Sequence, residues 1–367
     1  MRRWLTGIFC CSLWLVAAVP AHSNGNVASR TIAIRVTSSS PTVATVEIRR
    51  DAVNDVRVGG ARLRINGVPL PNAASVDLEL ERFRVTGPDT RFVVGRKGGQ
   101  DRDLPIDTSR FVLLRGHVVG YPGSHAVLVL SNLRSVGRVD LGEGAGQFNV
   151  FGGAVTSDDR QGPTTHHLSI KPARTTATAA SQTATTSMRL VELAIETDYE
   201  FFELFNDADA AAAYIVEMYA TVSAIFMRDV HTRIELSFVR IWDTPDDLFN
   251  DPNPLWSFRS YWNINMGDTP RDAAQFVTGR RNLPYGGVAY LNSLCESNGY
   301  SVVGYILGSL TDPEVPSFGQ WDVNVACHEL GHIFGTLHTH DGYSPRIDEC
   351  GSSGVLSRGT IMSYCHT

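Results

Sequence analysis

Twelve consecutive residues, Cys327-His328-Glu329-Leu330-Gly331-His332-Ile333-Phe334-Gly335-Thr336-Leu337-His338, hold three histidines and a glutamate in the order HExxHxxGxxH. On a helix, residues four apart lie one turn above another, so His328 and His332 can turn imidazole nitrogens toward one ion, with Glu329 beside it. Gly335 can take a positive φ, end the helix and bring His338 back as a third ligand. Three neutral nitrogens leave a fourth position for water, the layout of a catalytic zinc site rather than a closed structural one. A chance match to all five fixed positions in a chain of this composition has a probability of roughly 10⁻⁵ to 10⁻⁴. His340 stands two residues too far from Gly335 to replace His338, so its place is beside the site.

A site of this kind needs a helix and a sheet to hold it. Arg189–Thr197 reads as a strand, and 206–227 spaces Tyr214, Met218, Val222 and Ile225 along one helical face. Strands are expected at 233–242, 273–278, 287–291 and 302–307, with a short helix at 255–264. Strands alternating with helices predict an α/β domain around a largely parallel sheet. Upstream, 76–85 alternates apolar and charged residues, the period-two signature of a sheet with one wet face. Gly59-Gly60, Asn66-Gly67, Gly87-Pro88, Gly98-Gly99 and Pro122-Gly123 read as turns, giving a mostly antiparallel β domain over 24–174. Residues 175–188 are almost all Ser, Thr and Ala and read as a linker.

The chain has 367 residues, 43% of them hydrophobic, enough for about two domains with real cores. Residues 1–188 carry 22 Lys and Arg against 14 Asp and Glu (net +8), while 189–367 carry 10 against 24 (net −14). The halves are oppositely charged, and the overall −6 gives no reason to expect a nucleic-acid partner. Met1-Arg2-Arg3, the apolar run Leu5 to Val19 and the small residues before Ser23 read as a secretory signal over 1–23, which predicts an exported protein. The run is short of the roughly 20 residues of a membrane span, and no later stretch is expected to reach that length. Past the signal, four cysteines remain, Cys295, Cys327, Cys350 and Cys365. In an oxidising compartment they suggest two disulfides, with Cys350–Cys365 and Cys295–Cys327 the favoured connectivity of three.

The histidine motif and Gly359-Thr360-Ile361-Met362-Ser363-Tyr364, which is similar to the Met-turn beneath the metal, resemble the metzincin clan of zinc peptidases. Within the clan, the order of elements from Leu190 to Thr367 resembles the adamalysin/reprolysin family, especially its secreted bacterial-type relatives. Arg115-Gly116-His117-Val118-Val119-Gly120-Tyr121-Pro122-Gly123-Ser124 is similar to part of reprolysin pro-domains. The resemblance implies a signal at 1–23, a β-rich pro-domain at 24–174, a linker at 175–188 and an α/β zinc peptidase at 189–367. The peptidase sheet would have five mostly parallel strands with an antiparallel edge, Gly287, Val288, Ala289, Tyr290 and Leu291, along which protein substrates lie. His328, His332 and His338 would bind Zn²⁺, and Glu329 would be the general base.

Three departures stand out. Thr339 follows the third histidine where adamalysins place Asp, the nearest being Asp341. No cysteine lies between the signal and Met188, which excludes a cysteine switch. The chain ends five residues after Met362, where metzincins continue into a helix, so a further C-terminal segment is expected. Tyr364 stands at the astacin spacing from Met362; a metal-ligand or transition-state role and plain packing are both open to it. The competing functional reading is a zinc-binding but inactive secreted adhesion module, which would require an altered Glu329 or ligand.

Overall fold

A computed structural model of the chain describes residues 29–54, 56, 58, 60, 62–142, 145–152, 165–173, 187–310, 321–348 and 360–364. The expected signal, nearly all of the 175–188 linker, Gly59, Cys350 and Cys365 lie outside the described residues.

The upstream half supplies β1 (Ser29–Ile32), β2 (Ile34–Ser39), β3 (Ala44–Arg49), β4 (Arg62–Val68), β5 (Val76–Phe83), β6 (Thr86–Val94), β7 (Arg102–Asp103), β8 (Val112–Val118), β9 (His125–Leu130), β10 (Ser135–Asp140), β11 (Gln147–Gly152) and β12 (Thr165–Pro172). Ten of these form one sheet in the order β1-β4-β5-β8-β9-β10-β11-β12-β3-β2. It is antiparallel except where β1 runs parallel to β4. Val76, Leu78 and Leu80 of β5 face the core and their charged neighbours face outward, as alternation requires. Pro122-Gly123 and Gly98-Gly99 are turns. Asn66-Gly67 is instead a bulge inside β4: the register slips between Ile65 and Val68, and Gly67, at φ 67°, donates its N–H to Asp77 Oδ1 at 2.9 Å. Gly87-Pro88 is not a turn either; it lies in β6.

The downstream half runs β13 (Arg189–Thr197), α1 (Tyr199–Glu203), α2 (Ala208–Asp229), β14 (Thr232–Ile241), α3 (Leu255–Asn265), β15 (Ala273–Val277), β16 (Gly287–Ala289), β17 (Tyr300–Val303) and α4 (Trp321–Ile333). Its sheet has seven strands rather than the expected five, in the order β16-β17-β15-β13-β14-β6-β7. The two additional strands come from the upstream half, β6 pairing parallel with β14. Edge strand β16 is antiparallel to β17, and β13, β14, β15 and β17 are parallel.

Helix α2 begins at Asp207, whose carboxylate accepts from Ala210 N at 2.8 Å and satisfies a donor the first turn leaves unpaired. It is 22 residues long and apolar, so one later stretch does have the length and apolarity of a span. Most of it is buried inside the molecule, because α2 packs on β14 on one side and on β9 of the upstream sheet on the other. One continuous core therefore unites both halves, with Phe83, Val85, Phe92, Phe111, Leu113 and Val129 from upstream packed with Tyr214, Met218 and Leu236 from downstream.

Helix α4 is held from two sides. Gln275 on β15 donates to Ala326 O at 3.2 Å and accepts from Tyr219 of α2 at 2.8 Å. Tyr214 donates to buried Asp322 at the start of α4, which also accepts from Leu307 N and Gly308 N.

Candidate active site

The last two turns of α4 carry the histidine motif. After Ile333 the chain closes in a Schellman turn: Thr336 N donates to Gly331 O at 3.0 Å and Gly335 N to His332 O at 2.9 Å, with Gly335 at φ 97°. A Cβ at Gly335 would also come within 2.9 Å of Asn292 Oδ1. The loop after β16 donates from Asn292 N to His332 O and from Ser293 N to Ile333 O, both at 2.9 Å, so the helix end is fixed to the edge of the sheet.

The turn brings His338 to the two helical histidines. His332 Nε2 lies 3.2 Å from both His328 Nε2 and His338 Nε2. Tetrahedral ligands about 2.05 Å from one zinc ion are about 3.3 Å apart, so the spacing is that of a shared metal. The proton positions agree. His328 Nδ1 is 2.8 Å from Ile361 O and His332 Nδ1 is 2.8 Å from Thr336 O. A carbonyl only accepts, so in each ring Nδ1 carries the proton and Nε2 keeps its lone pair. Lone pairs facing each other at this distance repel unless a cation lies between them, and the donor set fits one.

Glu329 is buried beside the cluster, and its Oε2 has no hydrogen-bond partner among the described residues. Burial pushes its carboxyl up to about 8, and a cation beside it would draw that down. Its side chain lies on the backbone of β16: a Cβ on Gly287 would meet Glu329 Cδ and Cγ at 2.7 Å, and one on Gly286 would meet the Trp321 indole at 2.6 Å. The strand is shorter than expected, covering Gly287, Val288 and Ala289, with Tyr290 and Leu291 continuing as loop.

Met362 lies beneath the cluster. Its Sδ would be 2.5 Å from a Cβ on Gly331, which explains the glycine inside HELGH. Tyr364 is half-exposed at the mouth with its hydroxyl 3.1 Å from His338 Nε2, and its ring centroid is 4.5 Å from that of His340. His340 stacks on His338 with ring centroids 5.2 Å apart. His338, His340 and Asp341 thus form a second group of metal-ligating types around a shared histidine.

Asp348 was not singled out in the sequence. Thr339 Oγ1 donates to Asp348 Oδ2 at 2.6 Å and lies 2.8 Å from Thr360 Oγ1, while Thr339 N donates to Met362 O at 3.0 Å. Thr339 and Asp348 together tie the third histidine to the Met-turn, whereas Asp341 points into solvent, its Oδ1 3.6 Å from His338 Nδ1. A separation of nine residues with no periodicity left no signal for this pair. The favoured Cys295–Cys327 disulfide is absent. Cys327 is buried in α4, where burial pushes its thiol well up, and Cys295 is exposed with its thiol 3.5 Å from Asp272 Oδ1.

Residues 187–367 match the family model Reprolysin_5, Metallo-peptidase family M12. A disintegrin and metalloproteinase domain-containing protein 19 from Mus musculus is 30% identical over an alignment of 185 residues that covers 48% of this chain and 18% of that protein. The chain therefore spans less than a fifth of the length of this relative. A crystal structure of metalloproteinase-II from Bacteroides fragilis overlaps 77% of this chain and 84% of its own at 11% identity and a TM-score of 0.38. A structure of a chaperone-substrate complex overlaps 49% of this chain and 29% of its own at 13% identity and a TM-score of 0.36. Both overlaps are too loose to bear on the assignment, which rests on the family match and the relative in sequence: residues 187–367 form a reprolysin-like metzincin domain of metallopeptidase family M12.

Proposed function

We propose that the protein is an exported zinc endopeptidase that hydrolyses peptide bonds with Glu329 as general base. The observation that carries this reading is the convergence of three imidazoles, His332 Nε2 lying 3.2 Å from both His328 Nε2 and His338 Nε2, beside the buried carboxylate of Glu329, whose Oε2 has no hydrogen-bond partner among the described residues. His328, His332 and His338 hold the ion. Zinc in that position supplies Lewis acidity toward a water and toward the scissile carbonyl. Glu329 takes the proton from the attacking water and passes it to the departing amine, so no covalent enzyme intermediate is needed. β16 receives the substrate as an added antiparallel strand, and its short, glycine-started backbone brings the peptide next to Glu329. Tyr364, whose hydroxyl lies 3.1 Å from His338 Nε2, donates a hydrogen bond to the oxyanion that forms at the carbonyl. Export rests on the signal pattern at 1–23.

The test is casein or peptide cleavage by the full chain, abolished by a chelator and restored by stoichiometric zinc. Glu329→Gln should keep its zinc and lower turnover by about 10²- to 10⁴-fold. A zinc-loaded wild-type chain that cleaves nothing, or a Glu329→Gln variant with normal turnover, would overturn the reading; the first outcome is that of an inactive binding module.

A further inference from the structure

We propose that residues 29–173 are a permanent structural partner of the metallopeptidase domain, remaining bound after the linker is cut while the cleft works with them in place.

The main junction is a strand, not a plug. β6 adds to the free side of β14 in a register that pairs Arg91, Phe92, Val93 and Val94 with Phe238, Val239, Arg240 and Ile241. At either end, Leu236 N donates to Val85 O at 2.7 Å and Gly95 N to Ile241 O at 2.8 Å. Where the register slips, the Thr90 hydroxyl donates to Leu236 O at 2.6 Å and keeps that carbonyl satisfied. Removing the upstream half would leave β14 as a bare edge and strip one side of α2, the most apolar helix of the downstream half.

Charged groups are built into the same junction. Arg134 pairs with fully buried Glu217 on α2 at 2.8 Å, and Ser131 donates to the same carboxylate. Asp101 pairs with Arg240 at 2.8 Å, and Arg240 in turn holds buried Glu196 at 2.9 Å. Parting the halves would take Arg134 from buried Glu217 and Asp101 from buried Arg240, a cost that surface ion pairs do not carry. Arg96 and Asp243 add a further pair at 2.6 Å.

The cleft is elsewhere. β16 and β6 are separated by β17, β15, β13 and β14, five strand spacings or roughly 24 Å. The strand that binds substrate in the proposed function and the strand that anchors the upstream half are at opposite sides of one sheet, so the β6 junction does not itself cover β16.

The experiment places a site-specific protease sequence within 175–186 of the full chain, cuts it, and passes the product through size exclusion at 0.15 M and 1 M NaCl. The two fragments should co-elute as one complex at both salts. Removal of zinc by dipicolinate, which reports access to the site without needing activity, should proceed at the same rate before and after the cut, and peptide turnover should change less than twofold. Val93→Pro, which removes a strand amide, should make the cut halves separate at 0.15 M NaCl; should that variant not fold, Arg134→Met should weaken their association by at least tenfold. Fragments of the wild-type sequence that part at 0.15 M NaCl, or a cut that speeds zinc loss or turnover tenfold, would overturn the proposal. A chain without any turnover would sink the peptidase reading, while co-elution would still decide this one.

Discussion

The two sides of the seven-stranded sheet are built for opposite purposes. At one, β16 is three residues long, only partly buried and begins with glycine, and its outer backbone faces the cleft beside Glu329. At the other, β14 is ten residues long and its outer edge is met by β6 and its flanks from Leu236 to Ile241. A long bare edge invites any extended chain to pair with it, whereas a short one next to a reactive centre accepts a strand for only as long as a few hydrogen bonds hold. The molecule closes the long one with its own sequence, and under the proposed function the short one is left for substrate.

If the far edge is part of one cooperative structure, the largest effect should come from the shared core. Phe111 is buried among residues of both halves. Phe111→Ala should destabilise the chain by about 3–5 kcal/mol. Calorimetry should show one transition shifted downward, with zinc lost in that transition. Two transitions, with only the first moved by the substitution, would mean that the halves fold independently and that the comparison of edges is accidental.

The two regions also differed in how far the sequence revealed them. The cluster of His328, His332 and His338 was legible because its geometry is local: helical spacing joins two residues and one glycine turn adds the third. The five downstream strands were legible too, but the two that extend their sheet to seven were not. β6 pairs with residues roughly 145 positions away, and its start, Gly87-Pro88, carries the composition of a turn. The irregularity is real, but it is absorbed within the strand: Gly87 N donates to Thr90 Oγ1 at 2.8 Å, and a Cβ there would strike the Glu235 side chain. Composition marks where regular pairing breaks, and says nothing of whether the chain reverses. The opposite net charges of the halves do appear as contacts at Arg134–Glu217 and Arg96–Asp243, yet Asp101–Arg240 has the signs reversed, so net charge alone would have misassigned that pair.

The open edge should respond to a change much smaller than the loss of a phenyl ring. Gly287→Ala adds one methyl group that must displace the Glu329 side chain. Misplacing a catalytic group by about 1 Å can cost about 10²-fold. The variant should keep its zinc and fold normally, with kcat reduced about 10- to 10²-fold and KM little changed, because the substrate strand still has its backbone partners. A loss confined to KM would show that Gly287 serves peptide docking and not the position of Glu329.

The smallest effect is expected where the Met-turn is tied to the third ligand. Thr339→Val preserves shape but removes the hydroxyl that bridges Asp348 and Thr360. A hydrogen bond of this kind is worth about 1 kcal/mol net, so roughly a fivefold weaker hold on zinc is expected as His338 loses part of its anchor. Competition against a chelator of known affinity should show that weakening in Thr339→Val and its reversal in Thr339→Ser, which restores the donor. The far junction should be indifferent: the cut halves of Thr339→Val should still co-elute, because Thr339 hangs from the loop beyond α4 while the upstream half is held by β14 and α2. Unchanged zinc affinity in the valine variant would show that the backbone bond from Thr339 N to Met362 O is sufficient to place His338, and that the side-chain bridge to Asp348 is dispensable.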